Sequence, residues 1–197
     1  ASAETGLATF SIPAAHHGHD MEMAVMFPST GGSARLLGEN PVFHGTTVYE
    51  NAEPLTGKHP VVLLSHGWGG NFARMSWLAS GLVERGALVV AVNHPNSTTG
   101  DLDNLDALNH WTRAQDLTAA LDRVLKDPQF KPVIDATRIY AAGFSYGGWT
   151  ALSLGGLEGQ RDGLDKFCSE GATVTDHCRD ILKAGIKISE LDGEAWQ

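Results

Sequence analysis

Three short runs dominated by apolar residues, separated by stretches of helical spacing, constrain this chain more than any other feature. They are Val61-Val62-Leu63-Leu64, Leu88-Val89-Val90-Ala91-Val92 and Arg138-Ile139-Tyr140-Ala141-Ala142. The first two lack the polar alternation of a half-exposed strand, so they predict strands buried on both faces. Between them, Met75 to Arg85 places Leu78, Leu82 and Val83 at helical spacing and closes at Gly86. Before the third run, Trp111 to Leu125 carries Leu117, Leu121, Val124 and Leu125 along one side and stops ahead of Pro128. This alternation predicts an α/β fold: a mostly parallel sheet with right-handed crossovers and helices on both faces. Ligands bind such sheets at the carboxyl ends of the strands, so the loops that begin at Ser65, Asn93 and Gly143 carry the functional expectation.

The third run leads directly into Gly143-Phe144-Ser145-Tyr146-Gly147-Gly148 and then into Trp149 to Leu157, a small-residue-rich helix. This is G-x-S-x-G in its strand-turn-helix setting. The turn is so sharp that side chains two positions before and after the serine collide with neighbouring backbone, which explains the glycines. Ser145 is thereby pushed into a strained, exposed position suited to nucleophilic attack, with the amide of Tyr146 and the positive end of the helix facing a developing oxyanion. A Gly-rich turn that serves only close packing, or one that binds phosphate, is the competing reading. The run lacks the glycine spacing of a dinucleotide site and the lysine of a P-loop. No cofactor or metal is called for.

Acyl transfer needs a second amide aimed at the same oxygen. Ser65-His66-Gly67-Trp68-Gly69 follows the first buried strand, and the amide of Trp68 is the candidate, with its indole as a wall of the acyl pocket. His66 is expected to hold this loop by hydrogen bonds rather than to act as general base. His94, with Asn93, Asn96 and Ser97, reads as a polar rim of the cleft, and Asn96-Ser97-Thr98 also matches a glycosylation acceptor.

At these residues the chain resembles the α/β-hydrolase superfamily, in the branch of dienelactone hydrolases, platelet-activating factor acetylhydrolases and polyester-degrading, cutinase-like enzymes. The resemblance runs from about Met21 to Leu157 and rests on Phe27-Pro28, Leu64-Ser65-His66-Gly67, Asn93-His94-Pro95-Asn96-Ser97 and the Ser145 motif. It implies that the oxyanion amides belong to Trp68 and Tyr146. Dienelactone hydrolases use cysteine as nucleophile; the serine here implies a serine esterase acting on ordinary carboxylic esters, whether small-molecule, lipid or polyester. A thioesterase or peptidase uses the same chemistry.

The superfamily's acid and histidine follow the serine, on loops after later strands. Beyond Leu157 the chain is Gly-rich, charged and poorly periodic, so 158–197 is expected to be an excursion or cap-like segment attached to the domain formed by 1–157, leaving the sheet incomplete at its C-terminal end. At least two further strand-helix units of roughly 30 residues each are needed to finish it. The expectation is that a C-terminal fragment of the same precursor, as a separate chain, supplies both residues. His177, with Asp165 or Asp192, is a weaker alternative. A non-catalytic binding module that kept the serine turn but lost the triad is the reading from a different class.

The remaining features bound the setting. Ala8 to Ile12 and Met21 to Phe27 read as extended, joined by His16-His17-Gly18-His19-Asp20, whose imidazoles are expected to be solvated because a flexible turn offers a metal no fixed geometry. Pro28 to Gly57 reads mostly as loop, with a short strand at Thr46 to Tyr49. Acidic residues outnumber basic ones 23 to 14, a net charge of -9 that repels nucleic acid. No apolar run approaches the roughly 18 residues of a transmembrane helix. The Ala1-Ser2-Ala3 start suits a chain freed of a signal peptide, and Cys168 and Cys178 are expected to form a loop-closing disulfide, as in a secreted or periplasmic protein.

Overall fold

The computed structural model describes residues 3–171 and 175–191. The chain opens with a long antiparallel hairpin, β1 (Glu4–Ala14) and β2 (His19–Thr30), paired over its full length. A second hairpin follows, β3 (Ser33–Leu37) with β4 (Thr46–Glu50), and the short β5 (Glu53–Pro54) returns against β2. The α/β part consists of β6 (His59–Ser65), α1 (Ser76–Val83), β7 (Leu88–Val92), the small antiparallel pair β8 (Ser97–Thr98) and β9 (Asp101–Leu102), α2 (His110–Lys126), β10 (Ile134–Gly143) and α3 (Tyr146–Leu154). Two helices end the described chain, α4 (Arg161–Gly171) and α5 (Asp176–Lys183).

The main sheet runs β10-β6-β7-β2-β1-β4-β3. Its site-bearing end is parallel, β10 with β6 and β6 with β7, while the N-terminal strands join through antiparallel pairs, β2 with β7 and β1 with β2. The pleat sorts the core into two halves. Met23, Val25 and Phe27 of β2, Val61 and Leu63 of β6, and Leu88, Val90 and Val92 of β7 pack with Leu117, Ala120 and Val124 of α2. The alternate residues Ala24, Met26, Val62, Leu64, Val89 and Ala91 pack with Ala79 and Val83 of α1 on the other face. Helices thus cover both faces, and the uninterrupted apolar runs of β6 and β7 follow from that.

One stretch differs from expectation, and two others gain detail that the sequence left open. Pro28 to Gly57 is not mostly loop: the polar Ser33–Leu37 is a strand because it pairs along the whole of β4 at the outer edge, where exposed side chains are tolerated. The segment after Leu157 is helical. Its apolar residues Cys168, Cys178, Ile181 and Ile188 form a small satellite core with Leu108, against which Trp68 and Leu164 pack. The expected Cys168–Cys178 disulfide is formed and ties α4 to α5. Finally, β10 is flanked by β6 on one side only among the described residues, so Tyr140 is 56% exposed although its strand continues the central apolar pattern. Asp192 lies outside the described residues, and among those described no helix is long and apolar enough to cross a membrane.

Truncating a side chain wholly inside the α2 half of the core removes contacts that neighbours cannot replace. Leu88→Ala is expected to cost about 2–5 kcal/mol in urea unfolding with an unchanged m value. Trp77→Ala, at a residue 67% exposed, is expected to cost less than about 0.5 kcal/mol.

Candidate active site

The turn between β10 and α3 is built as the glycine pattern predicts. Ser145 is exposed, at φ 54 and ψ -119, in the left-handed half of conformational space that a non-glycine residue enters only under constraint. The constraint is close packing on both sides. A Cβ on Gly143 would lie 2.0 Å from the Gly147 carbonyl oxygen, and one on Gly147 would lie 2.1 Å from that of Ser65. The next residue, Gly148, is different: a Cβ there would meet nothing nearer than 3.6 Å.

The loop after β6 lies directly against this turn. The Phe144 amide donates to the Ser65 carbonyl at 3.2 Å, and a Cβ on Gly67 would stand 3.4 Å from that of Ser145. Most amides here are occupied: Gly69 donates to Ser97, Gly70 to Gly67, Gly147 to Phe144 and Gly148 to Ser145. Among the described residues, the amides of Trp68 and Tyr146 have no acceptor. Their side chains meet, with ring centroids 5.3 Å apart, and the Tyr146 hydroxyl donates to the Ala107 carbonyl at 2.7 Å. His177 of α5 stands edge-on to Trp68 at 4.9 Å. No hydrogen bond joins the Ser145 hydroxyl to an imidazole among the described residues.

Two cavities lie beside the serine turn. One, of ≈ 390 Å³, is bounded by Tyr146, Trp149, Leu108, Phe167 and His177. The other, of ≈ 640 Å³, lies toward the β3–β4 connection and is bounded by Gly67, Trp68, Phe144, Phe43 and Trp77. In sequence Ser145 sits between Phe144, which borders the second, and Tyr146, which borders the first.

Behind the loop is a buried polar network that the sequence reading missed. Arg113 of α2, 1% exposed, donates from Nε to Thr150 Oγ1 at 3.0 Å, from Nη1 to Ser97 Oγ at 2.7 Å, and from Nη2 to Ser65 Oγ at 3.1 Å and to the His66 carbonyl. Its guanidinium also lies over the Tyr146 ring, 4.6 Å from the centroid. Burial lowers its pKa only to about 10, so it stays charged at neutral pH. One side chain therefore fastens the β6 loop, the β7 loop and α3 to one another.

His94 is not a rim residue. It is fully buried, with Nδ1–H donating to Asp116 Oδ2 at 2.8 Å and Nε2 accepting from the Ser65 hydroxyl at 2.8 Å. The chain Ser65-His94-Asp116 has the composition of a catalytic triad, but all three residues are sealed from solvent. Burial, and next the Arg113 charge, depress the His94 pKa to about 4, so its ring is neutral. The Asn96-Ser97-Thr98 hydroxyls are likewise internal, Ser97 accepting from Arg113 and Thr98 donating to the His94 carbonyl. His66 has the loop-holding role expected of it: Nδ1–H donates to the Gly67 carbonyl at 2.7 Å, and Nε2 accepts from the His94 amide at 3.2 Å. Burial, reinforced by His94 and Arg113, lowers its pKa to about 2.

The turn at His16 to Asp20 also departs from expectation. Its first two imidazoles are not free in solvent: the exposed His16 and the half-buried His17 converge on Asp116 Oδ1, with Nε2 at 2.6 and 2.9 Å. Burial raises the tendency of Asp116 to hold a proton, but the His17 and His94 hydrogen bonds outweigh it and keep the carboxyl below the usual range.

A parallel β10-β6-β7 core with helices on both faces and a strained serine between β10 and α3 defines the α/β-hydrolase fold, and this chain has it. No family model matches the chain. Within the fold, its sequence likeness is to cutinases: it is 32% identical over 114 residues to Cutinase 2 of Thermobifida cellulosilytica and to Cutinase cut1 of Thermobifida fusca, matching 57% of this chain in each case. The match covers 39% and 32% of those proteins, so the chain spans only part of the relatives it resembles. The structure of a ferulic acid esterase from Streptomyces cinnamoneus superimposes with a TM-score of 0.63 at 23% identity, over 78% of this chain and 56% of that one.

The two helix-start glycines should respond oppositely to one methyl group. Gly147→Ala is expected to destabilise by about 3 kcal/mol or more, because its neighbours are backbone. Gly148→Ala is expected to be neutral or to stabilise by about 0.5–1 kcal/mol, read as the shift in thermal midpoint.

His66 predicts an acid limb. Its unfolded pKa is 6.5 and its folded value is lower, so below pH 6.5 the unfolded chain takes up a proton that the folded chain refuses. The stability that neutral His66 contributes is complete above that pH and declines as pH falls toward about 2. Urea unfolding between about pH 4 and 5.5 should show His66→Gln losing close to one proton's worth of pH dependence, a slope of about 1.4 kcal/mol per pH unit that fades to nothing above about pH 7.

Proposed function

We propose that this chain is the nucleophile-bearing part of a serine hydrolase that cleaves carboxylic esters through an acyl-enzyme on Ser145. The observation that carries the reading is an exposed, left-handed serine beside two amides, Trp68 and Tyr146, that have no acceptor among the described residues. Ser145 Oγ attacks the ester carbonyl while a histidine takes its proton. The two amides bind the oxyanion of the tetrahedral intermediate, whose collapse expels the alcohol with the proton returned by the histidine. Water then repeats the sequence and releases the acid. The cutinase likeness supports an ester substrate, and the aromatic walls at Trp68, Phe144 and Trp149 favour an apolar acyl or alcohol group, small-molecule, lipid or polyester.

The acid and the histidine come, in this proposal, from a separate C-terminal chain of the same precursor whose strands extend the sheet beyond β10. Support comes from the edge of β10 that has no partner strand among the described residues and from the exposed Ile139 and Tyr140 on that strand. A disulfide between α4 and α5 fits an exported enzyme. A second reading makes His177 the base, favoured by its contact with Trp68 and its place in the cavity beside Tyr146.

A fluorophosphonate probe applied to the assembled native enzyme, followed by denaturing mass spectrometry, tests all of this. The expected result is a single adduct on Ser145, abolished in Ser145→Ala and retained in His177→Gln, with a second polypeptide in the spectrum. Loss of labelling in His177→Gln with no second polypeptide selects the His177 reading. An unlabelled native assembly contradicts the hydrolase proposal.

A further inference from the structure

The β1–β2 turn brings adjacent imidazoles, His16 and His17, against a carboxylate that belongs to a distant part of the chain. Their Nε2 atoms lie 2.6 and 2.9 Å from the same oxygen, Oδ1 of Asp116, and the three donor atoms all fall within 4.8 Å of one another. The turn alone offers no fixed geometry; α2 supplies it. Asp116 is fully buried and its other oxygen is held by His94 Nδ1–H at 2.8 Å. The His17 imidazole is 5% exposed and that of His16 21%, which leaves one open side.

We infer that His16, His17 and Asp116 form a binding site for a first-row divalent cation, with zinc as the leading occupant. Two imidazole nitrogens and one carboxylate oxygen are a donor set that zinc accepts in tetrahedral coordination, with a water as fourth ligand from the open side by His16. The His94 bond to Oδ2 orients the carboxylate from behind, as supporting groups do for metal ligands. Without a cation each Nε2 carries the proton that it donates to Asp116. Binding moves that proton to Nδ1 of the same ring, so two hydrogen bonds to Oδ1 are replaced by coordinate bonds. The donor atoms must spread from hydrogen-bond separation to the ~3.3 Å set by metal-ligand bonds of about 2.0 Å. The turn has room to do this, since Gly18 at its tip has nothing within 4 Å of its Cβ direction.

The site joins the N-terminal hairpin to α2, two elements 100 residues apart in sequence. Through Asp116, His94 and Ser65 it also reaches the loop that carries Trp68. Its role is structural: a cation there anchors the hairpin turn to the helix that braces the site. This holds whether or not Ser145 is catalytic.

The test uses the intact chain, stripped with EDTA, loaded with zinc chloride and passed through gel filtration, with metal counted by mass spectrometry. One zinc per chain is expected, with a rise in Tm of roughly 5–10 °C at about 100-fold excess over Kd. Cobalt(II) in place of zinc is expected to give the intense visible absorption of a tetrahedral site. His16→Asn/His17→Asn, altered only at the turn, should fold, lose the cobalt spectrum and bind zinc at least tenfold more weakly. Retention of less than a tenth of an equivalent by the unaltered chain, or equal binding by the double variant, overturns the proposal.

Discussion

A single buried cation organises the functional end of this molecule. Arg113 gives its hydrogen bonds to groups on three different segments: Ser65 and His66 at the end of β6, Ser97 after β7, and Thr150 in α3. Removing one partner from a buried charged network leaves the rest uncompensated, at a cost of about 3–5 kcal/mol. The loop of Trp68 and the turn of Ser145 are therefore fixed relative to each other by the same guanidinium. Asp116, one turn further along α2, balances that charge and draws in His94, His16 and His17. The positions of the Trp68 and Tyr146 amides, which have no acceptor among the described residues, depend on this bracing, and so does the pre-organisation that the proposed acyl transfer requires.

The framework was legible because its physical signals are local. Apolar runs without alternation specified β6 and β7, and the β2 pattern of Met21, Met23, Val25 and Phe27 specified a strand. The glycines around Ser145 announced a turn whose need for them is now visible in the contacts that Gly143 and Gly147 leave no room for. What escaped was non-local. His94 and the His16-His17 turn were read as solvent-facing because no nearby residue explains them; their partner, Asp116, arrives from α2. A signal did exist: Arg113, Asp116, Leu117, Ala120 and Val124 fall on one helical stripe, so two charges sat on the buried side of an amphipathic helix. Charges so placed demand partners, and counting the polar residues on loops at the strand ends would have suggested them.

The strand at the open edge and the two helices after Leu157 were the least readable. Ser33–Leu37 is a strand by pairing rather than by pattern, its side chains mostly exposed. α4 and α5 are short and polar and cohere through one disulfide and a few apolar contacts, among them Trp68. Their packing makes Trp68 a shared element, at once part of the satellite core and a border of the cavity toward the β3–β4 connection. The shape of that cavity is consequently tied to how α5 sits, whereas the Ser145 turn is held by β10, α3 and the β6 loop packed against it.

The central claim is that Ser145 presents its hydroxyl to a carbonyl whose oxygen is received by the amides of Trp68 and Tyr146. A crystal structure of the assembled enzyme carrying a phosphonate on Ser145 measures this directly. The account predicts a phosphonyl oxygen about 2.7–3.1 Å from both amide nitrogens. An adduct whose oxygen faces solvent, or is bound by neither amide, contradicts it.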